Sequence, residues 1–362
     1  MLRGWILLPA FLAACAVTPA DGLDGALATI RAVKAEGAGN PEAAAAWRAT
    51  VDRGPTAMIP ALRAFDGASP LAANWLRAAV DAIAEGAKEP LDAAALEAFV
   101  LETQRDGAAR KLAYDWLVRV DAKAPDRLLP RFLEDPGQEL RREAVARAIV
   151  EAKGGADALK AVFSHARDRD QVDQVAAALK KLGQAVDVQA HYGIIPKWTL
   201  LATFDNAEMK GFDAAYPPEK RIDLKAGLQG KGGKAVRVVE CSTEDPHGKI
   251  DLNTTLGKEM GAVAYAHAVV ESTEARPVEV RVATNNAVKI FLNGELLFFR
   301  NEYHHGMKMD QYVGKGRLRA GRNEVLLKVC QNEQKEDWAQ TWSFQGRLCD
   351  ALGTAVPVKV LR

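Results

Sequence analysis

The sequence has few cysteines, almost no net charge and, beyond its first segment, no long apolar run. Only 4 of its 362 residues are cysteine, and none stands in a Cys-x-x-Cys or Cys/His spacing typical of a zinc site. The formal net charge of +1 provides no overall field for attracting nucleic acid, and no basic block is interleaved with aromatic residues. A nucleic-acid partner is therefore not expected.

The first segment has the pattern of an export signal. Arg3 supplies a positive charge, and the apolar run at 5–14 is only about ten residues long, too short to span a bilayer. Leu-Ala-Ala-Cys at 12–15 resembles a bacterial lipobox, after which Cys15 becomes the lipid-modified first residue. The alternative is ordinary signal cleavage a few residues later, which discards Cys15. We predict a signal over 1–20, export to the cell envelope or periplasm, and membrane attachment only through a lipid on Cys15.

The other cysteines are Cys241, Cys330 and Cys349, an odd number. Cys330 and Cys349 are predicted on two strands that pair as a hairpin around 332–340. In that register the two sulfurs would be roughly 20 Å apart, so no disulfide between them is expected.

Residues 23–185 have the periodicity of helices, and the length of the chain leaves room for a second domain. The region is rich in alanine, and apolar residues recur at spacings of three and four, as at Leu140, Ala144 and Ala148. Pro, Gly and Asp divide it into helices of roughly 10 to 17 residues joined by short turns.

Part of this helical region resembles a known repeat. Phe-Leu-Glu-Asp-Pro-Gly-Gln-Glu-Leu-Arg-Arg-Glu-Ala-Val at 132–145 resembles the inter-helix turn and second helix of a HEAT repeat. The resemblance covers about 55–183 and implies an α-solenoid that offers a surface for protein partners and has no catalytic role. The alternative is a compact helical bundle that supports the next domain.

The periodicity changes to two after a predicted linker at 186–196. At 288–292 apolar residues alternate, and Asn293-Gly294 is the dipeptide that favours a type I′ hairpin turn. Short strands without long helices between them predict an antiparallel β-sandwich or jelly roll over 197–350, with 351–362 as a tail or last strand. The predicted strands are 198–204, 235–241, 262–271, 278–283, 288–293, 295–300, 324–331 and 341–349.

The order of four segments in this half resembles the galactose-binding-like jelly-roll modules of exported bacterial proteins and glycosidases. The segments begin with W-T-L-L-A-T-F-D-N at 198–206 and continue with A-Y-A-H-A-V-V-E, A-T-N-N-A-V-K-I-F-L-N-G and L-R-A-G-R-N-E-V-L-L-K-V. The resemblance implies a non-catalytic module, often for carbohydrate. Related PA14-type modules carry an Asp-Asp pair that binds calcium where this chain has Asn285-Asn286. Because amides are neutral, calcium would lose charge compensation there, and no other cofactor is implied.

The candidate ligand residues follow the predicted hairpin. Arg300, Asn301, Tyr303 and His304 combine an aromatic ring with planar hydrogen-bonding groups, the combination that carbohydrate sites use. One alternative is an ordinary polar loop. A metal site at His304 and His305 is the other, although neighbouring residues on a strand point to opposite faces.

No Gly-rich phosphate loop, nucleophile elbow or His-Glu-x-x-His helix occurs in the sequence. We therefore expect an exported, non-enzymatic binding or scaffold protein, whose helical repeats contact protein and whose jelly roll contacts a glycan. The alternative is a glycoside-active enzyme with a site between the two halves, using Asp205 and Asp213.

Overall fold

A computed structural model describes residues 22–361, which form two compact units divided between Lys153 and Gly154. We call residues 22–153 the helical unit and residues 154–361 the sheet unit. The predicted signal segment, with Cys15, lies outside the described residues. Within 22–361 no helix combines the length and the apolarity that crossing a membrane requires.

The helical unit consists of helices joined by short turns. Its α-helices are α1 (Leu23–Arg31), α2 (Asn40–Val51), α3 (Met58–Arg63), α4 (Pro70–Glu85), α5 (Ala93–Leu101), α6 (Gly107–Val120), α7 (Ala124–Leu128) and α8 (Gln138–Glu151). Helix α3 packs on α4 and α5 on α6, while α4, α6 and α8 contact one another in that order. This packing agrees with a helical domain built from successive pairs, and its assignment to the HEAT family stays a prediction.

Local sequence explains where these helices begin. The side chain of Ser69 accepts a hydrogen bond from the amide of Ala72 at 3.2 Å, and Pro70 occupies the first helical position of α4. Asp92 and Asp106 cap α5 and α6 in the same way. Each cap satisfies an amide that has no partner within its helix, so these residues fix the turns between pairs.

The sheet unit combines short helices with antiparallel strands, so the chain as a whole is α plus β. Its helices are α9 (Ala156–His165), α10 (Arg169–Lys181), α11 (Val188–Tyr192), α12 (Pro217–Lys220) and α13 (Leu252–Leu256). Its strands are β1 (Lys197–Asp205), β2 (Arg237–Ser242), β3 (Ile250–Asp251), β4 (Ala262–Ser272), β5 (Arg276–Thr284), β6 (Val288–Leu292), β7 (Glu295–Arg300), β8 (Tyr312–Leu318), β9 (Gly321–Gln331), β10 (Ser343–Cys349) and β11 (Lys359–Val360).

The strands form two sheets that share one core. The larger sheet has the order β2-β1-β4-β9-β6-β7, with β11 also on β4, and the smaller has the order β3-β10-β5-β8. Side chains from both sheets meet in a single apolar cluster, in which Trp198 of β1 packs edge-on against Phe344 of β10. The assignment of the sheet unit to the jelly-roll family stays a prediction.

The predicted hairpin at 288–300 is confirmed. Strands β6 and β7 pair antiparallel, and Asn293 and Gly294 both have positive φ, at 53° and 84°. Both central residues therefore have the sign of φ that a type I′ turn requires.

The predicted pairing of the strands that carry Cys330 and Cys349 is wrong. Strand β9, with Cys330, lies in the larger sheet, and β10, with Cys349, lies in the smaller one. The loop at 332–342 therefore crosses between sheets and does not close a hairpin. Both thiols are buried and free, and Cys241 is also free.

Helices α9 and α10 belong to the compact sheet unit, although their sequence continues the helical pattern of the first half. Asp173 of α10 pairs with the His247 imidazole at 3.0 Å. His191 of α11 lies 2.8 Å from the carbonyl of Ala166 and packs on the Phe163 ring. An amphipathic period reports that a helix has a buried face, but not which unit covers that face. The predicted helical domain at 23–185 and linker at 186–196 stay predictions.

Candidate functional site

One end of the two-sheet structure gathers the polar loops, and we call it the loop edge. Strands β1, β5, β7 and β9 end there, and β8 and β10 begin there. The loop edge consists of Asn206 and the loops 285–287, 301–311 and 332–342. Because loops are free of the sheet's hydrogen-bonding pattern, their side chains can be placed for binding.

Buried amide side chains hold these loops together. Asn286 donates from Nδ2 to Gln331 Oε1 at 3.1 Å and to the carbonyl of Thr341 at 3.0 Å. Asn206 donates to the carbonyl of Gln331 at 2.9 Å and to Tyr303 Oη at 3.1 Å. Gln331 donates in turn to the carbonyl of Ala339 at 3.2 Å. The network ties three loops to the end of β9, so the loop edge is rigid at its base.

Of the four predicted ligand residues, Tyr303 and His304 are anchored at the loop edge. The Tyr303 ring packs on the outer apolar cluster of the larger sheet, and burial raises the pKa of its hydroxyl. His304 has a φ of 58°, and its amide donates to Asn286 Oδ1 at 3.1 Å. Its Nε2 lies 2.8 Å from Asn332 Oδ1, which requires the proton to be on Nε2. Among the described residues, Nδ1 of His304 has no hydrogen-bond partner.

An exposed tryptophan stands beside this histidine. The Trp338 side chain is 64% exposed, and its ring meets the His304 ring edge-on at a centroid distance of 5.3 Å. Asn332 also donates to Gln334 Oε1 at 3.0 Å. Within residues 22–361 the indole N–H of Trp338 and the side-chain amide nitrogen of Gln334, Nε2, have no hydrogen-bond acceptor. A flat apolar face with free donors beside it suits a ring that carries hydroxyl groups.

Arg300 and Asn301 lie apart from this cluster. Both are exposed, and the Arg300 guanidinium forms an ion pair with Glu302. This hydrogen bond raises the pKa of Arg300 and lowers the pKa of Glu302. The structure thus brings Tyr303 and His304 together with Trp338 and directs Arg300 and Asn301 to solvent.

The amides at the position of the calcium-binding pair are already engaged. Asn285 Oδ1 accepts from the Ser343 hydroxyl at 2.8 Å, and Asn286 Oδ1 accepts from the His304 amide. Across the described part of the chain, no group of three or more His, Cys, Asp or Glu side chains is placed to hold a metal ion. His305 contacts Gln311 and Tyr312 through its ring nitrogens, and not His304.

The carboxylates of the enzyme alternative lie at the end of β1 and on residues 207–222, which pack on the outer face of the larger sheet and which we call the covering segment. Asp205 ends β1 and is exposed, and it accepts a hydrogen bond from the Ala207 amide at 3.1 Å. Asp213 is exposed as well. Glu219, by contrast, is nearly buried and pairs with the ammonium group of Lys328 at 2.8 Å.

Trp338 and the amides Asn206, Gln331 and Asn332 were not among the predicted site residues. The sequence carries one signal for the tryptophan, because Gln-Asn-Glu-Gln-Lys-Glu-Asp-Trp at 331–338 places a large aromatic residue in an otherwise polar loop. The amides have no such signal, since their partners are distant in sequence.

No protein-family model matches the chain, and no curated protein matches it. Solved structures give partial likenesses. A β-glucosidase from Kluyveromyces marxianus in complex with glucose has a TM-score of 0.27 and 9% identity over 44% of this chain and 17% of its own. A family 35 carbohydrate-binding module from an environmental isolate has a TM-score of 0.22 and 13% identity over 47% of this chain and 91% of its own.

A GH31 α-xylosidase from Xanthomonas citri has a TM-score of 0.20 and 11% identity over 43% of this chain and 17% of its own. Structural neighbours therefore include a carbohydrate-binding module and glycosidases, and the chain spans about a sixth of the two enzymes. At these scores and identities the likenesses establish neither a family nor an activity for this chain.

Proposed function

We propose that this chain is an exported binding protein without enzymatic activity. Its sheet unit binds carbohydrate at the loop edge, and its helical unit contacts protein. A lipid on Cys15 attaches it to the cell envelope. The observation that carries the carbohydrate proposal is the exposed indole of Trp338, positioned by His304 over a base of buried amides.

Three features support carbohydrate as the ligand class. The Trp338 ring offers a face for the C–H side of a pyranose, and it is exposed without ligand. The side-chain nitrogen Nε2 of Gln334 can donate a hydrogen bond to a hydroxyl group, and Nδ1 of His304 can accept one. The amide network fixes His304 before any ligand arrives, which reduces the entropy lost on binding.

The test compares the wild-type chain with the Trp338→Ala variant on a glycan array and by electrophoresis through gels that contain soluble polysaccharides. We expect the wild type to be retained by at least one glycan and the Trp338→Ala variant to lose that retention, because aromatic stacking is removed. Since Trp338 is exposed, the variant should keep the wild-type circular dichroism and Tm.

Phe299→Ala is the matched control, since Phe299 is 61% exposed and lies outside the loop edge on β7. Retention of this variant should equal that of the wild type. Failure of the wild type to bind any glycan, or unchanged retention of the Trp338→Ala variant, would contradict the carbohydrate site. Hydrolysis of a polysaccharide that disappears with Asp205→Asn or Asp213→Asn would contradict the non-enzymatic assignment.

A further inference from the structure

The helical unit contains a cavity of about 400 Å³ lined by the neighbouring helices α4, α6 and α8. Its apolar wall includes the Trp116 ring, whose Nε1 donates to Asp81 Oδ1 at 2.9 Å. The Arg119 guanidinium lies 4.1 Å from the centroid of that ring. The cavity is therefore bounded by side chains that their neighbours already hold in place.

Acidic side chains outnumber basic ones in this lining. Four carboxylates contribute to it, from Asp81, Glu85, Asp115 and Glu143, against the guanidinium groups of Arg77 and Arg119. Asp115 and Glu143 share the ammonium group of Lys111, at 2.5 and 3.1 Å. Glu85 is exposed and has no ionic or hydrogen-bond partner within residues 22–361. A cation that entered the cavity would meet one unpaired carboxylate and three others nearby.

A buried tyrosine hydroxyl in the cavity wall, that of Tyr114, lacks a hydrogen-bond partner within residues 22–361. Tyr114 is only 1% exposed, and its hydroxyl makes no hydrogen bond to any described residue. Leaving a buried hydroxyl unpaired costs free energy, so such groups are normally satisfied. Burial raises the pKa of this hydroxyl, the charges of Glu143 and Asp115, which also line the cavity, raise it further, and the charge of Arg147 acts in the opposite direction. The hydroxyl therefore lies within the field of the acidic wall.

We propose that this cavity is the docking site for a lysine or arginine side chain presented by an extended segment of a partner protein. The carboxylates neutralise the incoming cation, and Tyr114 gains the hydrogen-bond partner that it lacks. The proposal rests on the protein contact proposed above for the helical unit, to which it assigns a place and a partner chemistry. An acidic or neutral segment finds no such complement, because the lining is already rich in carboxylates.

The experiment measures the fluorescence anisotropy of the labelled peptide Gly-Ser-Gly-Arg-Gly-Ser-Gly-Arg-Gly-Ser-Gly on titration with the full chain. Versions with lysine or with uncharged citrulline at the arginine positions are titrated in parallel. We expect the two cationic peptides to bind and citrulline to weaken binding roughly tenfold or more. Added salt should weaken binding of the cationic peptides.

Two variants and two matched controls locate the site. Glu85→Gln removes the unpaired charge, and Tyr114→Phe removes the unpaired hydroxyl, so each should weaken binding several-fold. Tyr114→Phe should not lower the Tm, because the hydroxyl has no partner in the free protein. Glu42→Gln changes another exposed glutamate outside the cavity, and Tyr192→Phe removes another buried unpaired hydroxyl, from the sheet unit. Both controls should bind as the wild type does.

Equal affinity for arginine and citrulline peptides, or unchanged affinity in the Glu85→Gln and Tyr114→Phe variants, would overturn the site. Failure of every peptide to bind would overturn it too. If the cavity site is overturned but a partner protein still binds the helical unit, the proposed protein contact is retained and lies elsewhere on that unit. Glycan binding by the sheet unit is measured separately and does not depend on the outcome.

Discussion

The ammonium group of Lys328 is fully buried and lies 2.8 Å from Glu219 Oε1. It also donates to the carbonyls of Phe212 and Ala214, at 2.9 and 2.7 Å. The Tyr265 hydroxyl donates to the same carboxylate oxygen. Burial lowers the pKa of Lys328, and Glu219 partly opposes this. Lys328 of β9 thus links the covering segment to the outer face of the larger sheet through three contacts.

Replacing Lys328 with methionine should destabilise the sheet unit strongly. The substitution leaves the Glu219 carboxylate without its cation and two carbonyls without their donor in a buried site, which typically costs about 3–5 kcal/mol. Urea denaturation followed by tryptophan fluorescence measures the loss. The control is Arg322→Met, which breaks the exposed pair with Glu324 and should cost less than about 1 kcal/mol. Similar losses in both variants would contradict a special role for the buried pair.

Glycine at position 314 is required by the close approach of Leu297. A Cβ atom at Gly314 would stand 2.9 Å from the Leu297 Cβ and 3.3 Å from a methyl carbon of Ile290. Gly314→Ala should therefore destabilise the chain by about 1–3 kcal/mol, the usual cost of overpacking. Gly306→Ala is the control, because nothing lies within 4 Å of its added Cβ and its φ is not in the left-handed region. Adding Leu297→Ala should recover little of the loss, because alanine keeps the Cβ atom that stands 2.9 Å from the added one and its missing methyl groups leave a cavity.

These residues show which features the sequence could predict. The hairpin at Asn293 and Gly294 was predictable because the turn is encoded by adjacent residues. Strand β8 was not predicted, because its glycines interrupt the alternation of apolar and polar residues. Gly314 and Gly316 are needed there because the Leu297 side chain on β7 leaves no room for a Cβ atom. Asn206 and Gln331 are 125 positions apart, so their contact depends on the order of strands in the sheet. Local chemistry thus identified the hairpin and the loop that follows it, while the topology determined which residues meet there.

Acid should destabilise the sheet unit through His267. This imidazole is 3% exposed, and burial lowers its pKa below the ordinary 6.5, although Glu324 acts in the opposite direction. In the window between the lowered pKa and 6.5 the unfolded chain binds more protons, so stability is fully present above this window and is lost as the pH falls through it. His267→Gln should reduce the acid-induced loss by at most about 1.4 kcal/mol per pH unit.

The measurement is the urea midpoint of the wild type and the His267→Gln variant at pH 7.5, 6.5 and 5.5. The two curves of stability against pH should converge towards low pH. An identical acid dependence in both proteins would show that His267 does not contribute. His191 and His247 also have pKa values lowered by burial, so the variant should retain part of the dependence.

In the helical unit, Arg110 and Asp135 form a buried two-pronged ion pair with both distances at 2.7 Å. Arg110 also donates to the carbonyl of Val100, and Asp135 accepts from the Gly137 amide at 2.8 Å. Arg110→Met should cost about 3–5 kcal/mol, because it leaves the carboxylate buried and without its cation. Arg77→Met, at an exposed pair with Asp81, is the control with an expected cost below about 1 kcal/mol. A small loss with Arg110→Met would mean that the site relaxes or admits water.

The last prediction concerns the support of the proposed carbohydrate site. Asn332 Oδ1 accepts a hydrogen bond from His304 Nε2 at 2.8 Å and another from the backbone amide of Gln334 at 3.1 Å. Asn332→Leu removes the one oxygen that accepts both hydrogen bonds and leaves the Trp338 side chain unchanged. The His304 ring then loses its fixed orientation, so the indole that packs on it becomes more mobile.

Glycan retention by this variant should fall several-fold without vanishing, because the stacking surface persists while its orientation is lost. Asn332→Asp is the matched comparison, since aspartate keeps an oxygen acceptor for His304 and should restore most of the retention. Affinity electrophoresis gives the retention, and the line widths of the Trp338 indole N–H resonance report its mobility. Full retention in the leucine variant would show that Trp338 binds without help from His304, and equal loss in both variants would point to the Asn332 amide as a direct ligand contact.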